Sequence, residues 1–307
     1  MSETVIQTKN ITKRYGKFAA VSDLSIRVNR GDIYALVGQN GAGKTTLLKL
    51  ITGLTPRSSG ELELFGHSSE RGLEMARNHM GSMIETPSFF PYLSARENLE
   101  YYRIQRGGKN KGNIESALRI VGLDKTGNKK FKNFSLGMKQ RLGLALAIMD
   151  NPEVLILDEP INGLDPMGIK EFREIILKLN KEKKTTILIS SHILGELSQI
   201  ATTYGFISKG SLVEAITAEE LKEKCRTYLQ IDVDNVQLAS EILRNNCSCE
   251  NFEVVGENSI HVNENFDSPE LFVKALVEGG VVVSQVYRAG ISLEQYFIKL
   301  MGVGQNA

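Results

Sequence analysis

Gly38-Gln39-Asn40-Gly41-Ala42-Gly43-Lys44-Thr45-Thr46 is the stretch on which the reading of this chain turns. Its glycine, lysine and threonine spacing fits G-x-x-x-x-G-K-[ST], a loop whose backbone N–H groups wrap a phosphate while a lysine adds a point charge. The flanks agree with that chemistry. Ile33 to Val37 is an apolar run of buried-strand length, and Lys44 to Leu54 reads as a helix closing near Gly53. The helix start offers unpaired N–H groups and partial positive charge, and the glycines admit a close approach of backbone to ligand. Gly38, Asn40, Gly41, Ala42, Gly43, Lys44, Thr45 and Thr46 are therefore the candidate nucleotide-binding residues.

Further along, Val154 to Leu157 is a short apolar strand ending in Asp158-Glu159-Pro160. A buried parallel strand delivers its carboxyl-end residues into the ligand crevice. Asp158 can hold a magnesium ion, directly or through water, beside the Thr45 hydroxyl. Glu159 is placed to orient and deprotonate an attacking water; alternatively, both acids simply end a strand in a turn. His192 follows the next buried strand, Thr185 to Ser190, and its position favours the terminal phosphate over a structural role.

Two stretches stay ambiguous on residue chemistry alone. Tyr15, in a polar turn, is either an adenine-stacking ring or ordinary surface. Phe134-Ser135-Leu136-Gly137-Met138 opens an apolar helix, so Ser135 and Gly137 mark a second anion site or, more simply, a serine N-cap.

The remaining pattern alternates strands and helices. Strands are expected at Glu3 to Thr8, Leu24 to Val28, Gly60 to Phe65 and Gly81 to Glu85, the last broken at Pro87. Ser94 and Glu97 form a capping box for a helix toward Arg106, and Ile114 to Val121 is a second helix after a loop at Gly107 to Gly112. With the helix after Ser135 they should form a lobe apart from the sheet. Asp165 is an N-cap with Pro166 at the first helical position. A hairpin turns at Lys209-Gly210, and Thr217 to Glu220 starts another capped helix. From Thr227 the order strand, helix, strand, strand, helix, strand suggests a small α+β ferredoxin-like sandwich. The expected domains are residues 1–220 and 221–307.

Bulk properties narrow the class. The 307 residues carry 37 basic against 36 acidic side chains, so no strong basic field argues for nucleic acid. No run approaches the ~18 apolar residues of a membrane span. The first residues lack signal-peptide features, so a cytoplasmic location is expected. Cys225, Cys247 and Cys249 read as reduced thiols, two thiolates without a clustered third ligand being a poor metal site.

Taken together, Gly38 to Thr46, Phe134 to Gln140, Leu155 to Glu159, Leu164-Asp165 and His192 resemble the ATP-binding subunit of an ABC transporter, over essentially residues 3 to 220. The resemblance implies an α/β P-loop NTPase cassette with a β-subdomain and a helical subdomain, binding ATP and Mg2+. It implies a second ATP-binding subunit, with a homodimer expected, whose Ser135, Gly137 and Met138 grip the nucleotide held by the first subunit's loop. It also implies Asp165 in a D-loop, Tyr15 on adenine, and a separate membrane permease that keeps the subunit peripheral at the membrane. Phe89 to Leu99 should face that permease. Two departures stand out: Leu136 and Met138 replace a glycine and a glutamine of the usual signature, and Glu85 replaces a glutamine that touches magnesium; the resemblance makes the Glu85 carboxylate a third candidate metal residue beside Thr45 and Asp158, although it adds negative charge there. Glu85 and its surroundings resemble the bacitracin-resistance and lantibiotic-immunity subgroup, implying export of a peptide antibiotic or similar amphiphile. The alternatives are an ABC transporter of another substrate, a soluble ABC-type ATPase, or a degenerate regulatory binder; Lys44, Asp158, Glu159 and His192 together oppose the last.

Overall fold

The computed structural model describes residues 3–85, 88–107, 112–264 and 268–302. The chain divides into two compact units, residues 1–218 and 219–307. The loop expected at Gly107 to Gly112 falls mostly on residues 108–111, and the strand break at Pro87 also lies outside the described residues.

The first unit starts with an antiparallel layer. In it β1 (Thr4–Tyr15) pairs with β2 (Phe18–Leu24), β3 (Arg27–Asn29) and β5 (Ser59–Leu64). This corrects the expected strands at Glu3 to Thr8 and Leu24 to Val28: β1 continues to Tyr15, and Leu24 ends one strand rather than starting another. The physical reason lies in irregular backbone. Asn10 and Asp23 take φ of 49° and 46°, and side chains bridge the irregularity, with Ser25 Oγ accepting from Asn10 N–H at 2.8 Å and Thr12 Oγ1 from Asp23 N–H at 3.0 Å. Such bulges break the two-residue alternation that marks a strand in sequence.

The central sheet has six strands in the order β10-β9-β4-β8-β7-β6. These are β4 (Ile33–Val37), β6 (Met80–Met83), β7 (Val154–Asp158), β8 (Thr186–Ser191), β9 (Thr203–Ser208) and β10 (Ser211–Thr217). All neighbours run parallel except β10, which returns from β9 as a hairpin. Every residue of β4, β7 and β8 is buried, which explains their continuous apolar runs. Val37 pairs with Ser191 and Asp158 with Ser190, so the loops after β4, β7 and β8 leave the sheet at one edge. Two helices flank these strands: α1 (Lys44–Ile51) and α2 (Glu70–Arg77). The sequence reading left α2 unassigned; Gly72 lies in its first turn, and Leu73 and Ala76 are its only buried side chains beyond that glycine, too few for a helical period.

The helical lobe is inserted between β6 and β7 and contains α3 (Ala95–Gln105), α4 (Gly112–Ile120) and α5 (Leu136–Ile148), which pack on one another. The capping box of α3 forms as expected: Ser94 N–H donates to Glu97 Oε2 at 2.6 Å and Glu97 N–H to Ser94 Oγ at 3.3 Å. Those bonds and Lys130 hold the Glu97 carboxyl down at about 2. Fully buried Asn98 ties the preceding turn to this helix, accepting from Phe90 N–H at 2.8 Å while its amide faces the carbonyls of Phe90, Leu93 and Ser94. Asn98→Ala strands those backbone groups, and we expect a loss of about 2–4 kcal/mol, read as a lowered denaturation midpoint. A change under about 0.5 kcal/mol, the range of an ordinary surface substitution, would show that the network contributes nothing.

Past β7, α6 (Pro166–Lys183) begins at Asp165, whose Oδ1 accepts from Gly168 N–H at 3.0 Å. A short α7 (Leu194–Leu197) follows, and α8 (Ala218–Lys224) begins at the boundary and lies in the second unit. The second unit contains β11 (Thr227–Val233), α9 (Val236–Asn245), β12 (Phe252–Val255), β13 (Ser259–Val262), α10 (Pro269–Glu278), β14 (Val283–Gly290) and α11 (Leu293–Leu300). Its antiparallel order β12-β13-β11-β14 is that of a ferredoxin-like split βαβ, over a core that includes Leu229, Ile231, Leu243, Phe272 and Leu276. Among the described residues, no helix is long and apolar enough to cross a membrane.

Candidate functional site

The loop between β4 and α1 is shaped by its glycines. Gly41 and Gly43 take φ of 82° and 107°, a region that side chains rarely adopt. A Cβ on Gly43 would lie 2.6 Å from the Ala20 carbonyl oxygen, and one on Gly38 only 2.4 Å from that of Ile207. The loop is thus clamped between neighbouring strands, and Gly210 N–H donates to Ala42 O at 2.9 Å from the β9–β10 turn. Gly43 caps α1 without any side-chain bond, so no side chain competes for the N–H groups at the helix start.

Lys44 is buried. Its ammonium donates to Gly38 O at 2.6 Å and Gln39 O at 3.1 Å, and it lies 3.1 Å from Glu159 Oε1. That last contact is an ion pair but not a hydrogen bond, since Glu159 Oε1 is buried with no aligned donor. A cavity of about 340 Å³ opens over the loop, lined by Asn40, Gly41, Ala42, Gly43, Lys44, Thr45 and Thr46 together with Tyr15 and Glu159. Tyr15 ends β1, half exposed, with Lys13 Nζ 5.0 Å from its ring centre. An aromatic wall at one side and N–H donors at the other suit a ligand with a flat ring and an anionic tail.

At the end of β7, Asp158 is buried and Glu159 adopts φ of 45°. Ser190 organises both: its hydroxyl donates to Asp158 Oδ1 at 2.7 Å and accepts the Glu159 N–H at 3.0 Å. Ser190 was missed by the sequence reading, although two buried serines ending an apolar strand were the available signal. His192 Nδ1 lies 2.8 Å from Glu159 Oε2. Glu159 therefore sits between a cation at Lys44 and an imidazole, each facing one of its carboxylate oxygens.

Other predicted site residues lie apart from this cavity. Ser135 is the N-cap of α5, its Oγ accepting from Met138 N–H at 3.3 Å; a Cβ on Gly137 would meet Leu164 Cδ2 at 3.8 Å, an ordinary contact, and Lys129 Nζ approaches Met138 Sδ at 3.7 Å. None of Ser135, Gly137 and Met138 lines the cavity, nor does Asp165. Glu85 also lines no part of it; its carboxylate is 2.5 Å from Lys49 Nζ, and this bond is the main cause that raises the Lys49 pKa.

The sequence profile described as "ABC transporter" matches residues 21–162. The chain is 42% identical to the Bacitracin transport ATP-binding protein BcrA of Enterococcus faecalis over 98% of each chain. It is 41% identical to the protein of the same name from Bacillus licheniformis, again over 98% of both. A solved structure described as an ATP binding subunit of an ABC transporter superposes with a TM-score of 0.62 at 28% identity, covering 71% of this chain and 92% of that one.

Proposed function

The chain belongs to the ABC transporter family of ATP-binding proteins, and from that premise we propose that it hydrolyses ATP to power a separate membrane permease exporting a bacitracin-like peptide antibiotic. The observation that carries the ATPase half is Glu159, held between Lys44 and His192 at the mouth of the phosphate loop. Residues 1–220 form the ATP-binding domain and 221–307 an accessory domain. Tyr15 stacks on adenine, Gly38 to Thr46 cradle the phosphates, Glu159 takes the proton of the attacking water, and His192 orients Glu159 and the terminal phosphate.

Thr45 and Asp158 are the residues that would hold Mg2+, which would supply stabilisation of charge on the phosphates. Their oxygen donors suit a hard cation, and the Ser190 bond fixes Asp158 at the end of β7. Ser135, Gly137 and Met138 stand off the cavity of their own chain, which supports a role toward the nucleotide of a second subunit. ATP then closes a homodimer because it contacts both faces only in the closed form. The permease keeps the pair at the cytoplasmic face of the membrane.

Phosphate release by the purified protein with Mg-ATP tests the first half, and bacitracin susceptibility of cells co-expressing the chain with a multi-span membrane permease that co-purifies with it tests the second. We expect steady turnover and a raised inhibitory concentration. Turnover without any change in bacitracin, nisin or related peptide susceptibility overturns the substrate class and leaves the ATPase standing.

A further inference from the structure

Lys49 lies in the last turn of the helix that Lys44 opens, and the mechanism above gives it no task. Its ammonium is 2.5 Å from Glu85 Oε1, with the lysine side chain 31% exposed. Met83, the last residue of β6, pairs in parallel register with Leu157 of β7. Glu85 lies two positions beyond Met83, as Glu159 lies two beyond Leu157. The two glutamates therefore follow adjacent parallel strands at equivalent sequence positions, with Asp158 one position earlier. Three carboxylates at one sheet edge repel one another unless each meets a counter-charge. Lys44 answers Glu159 and Lys49 answers Glu85.

We infer that Lys49 is a positioning residue for ATP hydrolysis: its ion pair holds Glu85 at the sheet edge and cancels the charge that Glu85 adds beside Asp158 and Glu159. This rests on the ATPase reading above. The pair also ties the nucleotide helix to the segment that enters the helical lobe, so the position of Glu85 follows that of α1.

The test uses the full chain with Lys49→Met, which keeps a long unbranched stem without the charge, Glu85→Gln, and the double variant. Three quantities are compared: phosphate release as a function of Mg2+, ATP binding in the absence of metal, and thermal midpoint. Lys49→Met should lower the rate of release at saturating Mg2+ by about tenfold, because the unpaired Glu85 carboxylate then repels Asp158 and Glu159 from their working positions. Metal-free ATP affinity should stay within about threefold, well short of a lost charge contact. Replacing Glu85 by glutamine in the same background should restore release, a non-additivity that marks a direct pair. Lys49→Arg, which retains the ion pair, should stay near the parent and guards against a folding defect in Lys49→Met. A Lys49→Met protein with the parent rate at saturating Mg2+ overturns the inference, as does a double variant no better than the single. A parent protein that releases no phosphate overturns the ATPase reading and the inference with it.

Discussion

Glu159→Gln is expected to lower phosphate release by about 10²–10⁴-fold, the contribution of a positioned general base, while ATP binding persists. The geometry makes the substitution a clean one. A glutamine side-chain oxygen can still accept from His192, which lies 2.8 Å from Glu159 Oε2, and the Glu159 N–H keeps its bond to the Ser190 hydroxyl at 3.0 Å. What disappears is the basic oxygen and one negative charge 3.1 Å from the Lys44 ammonium. Losing that charge removes a competitor for Lys44 rather than a ligand of ATP, so affinity should hold or rise. With hydrolysis blocked, the proposed bridging nucleotide stays in place, and the variant should elute as an ATP-dependent dimer in size-exclusion chromatography. Measured turnover within about threefold of the parent would remove Glu159 from the base role, since that is far below the contribution of a general base.

The parts of this site legible in the sequence are those that leave a continuous or fixed-spacing trace. β4 and β7 are buried on both faces, so each reads as an unbroken apolar run, and the glycine loop and the acidic pair follow directly from them. The capping box at Ser94 and the N-cap at Asp165 were equally visible, because a cap is a local contact between residues three apart. Contacts between strands distant in sequence leave no such trace. Ser190 joins Asp158 and Glu159 across the β7–β8 ladder, and Lys49 meets Glu85 from another element, so neither role follows from one-dimensional spacing. The positive φ values of Asn10 and Asp23 hid the true extent of β1 and β2 for a related reason: irregular backbone shifts the face each side chain occupies. The Ser135 segment is the reverse case. Its residues are readable as a capped helix start, yet their absence from the cavity lining takes a fold to see.

Lys44→Ala should weaken ATP binding by about 2–4 kcal/mol, on the order of 10² in Kd, the usual penalty for truncating one partner of a desolvated charge pair. Lys44 is only 5% exposed, and its ammonium is held by the Gly38 and Gln39 carbonyls at 2.6 and 3.1 Å, both part of the loop itself. These two bonds hold the ammonium against the loop, beside the start of the helix whose N–H groups favour an anion. Alanine removes the charge and also strands the Glu159 carboxylate, whose Oε1 is buried without a hydrogen-bond donor and, among the described residues, faces Lys44 as its one cation within 4 Å. An uncompensated carboxylate at the mouth of the loop then repels the incoming phosphates, adding to the lost attraction. The two contributions separate in the double variant Lys44→Ala/Glu159→Gln, which should recover part of the affinity but no hydrolysis. Equilibrium titration with ATP, alongside a thermal midpoint that shows the variant folded, provides the measurement. Undiminished affinity in folded Lys44→Ala protein would mean that the backbone cradle alone binds the phosphates. Full recovery in the double variant would mean that repulsion by Glu159, rather than attraction by Lys44, sets the affinity of the loop.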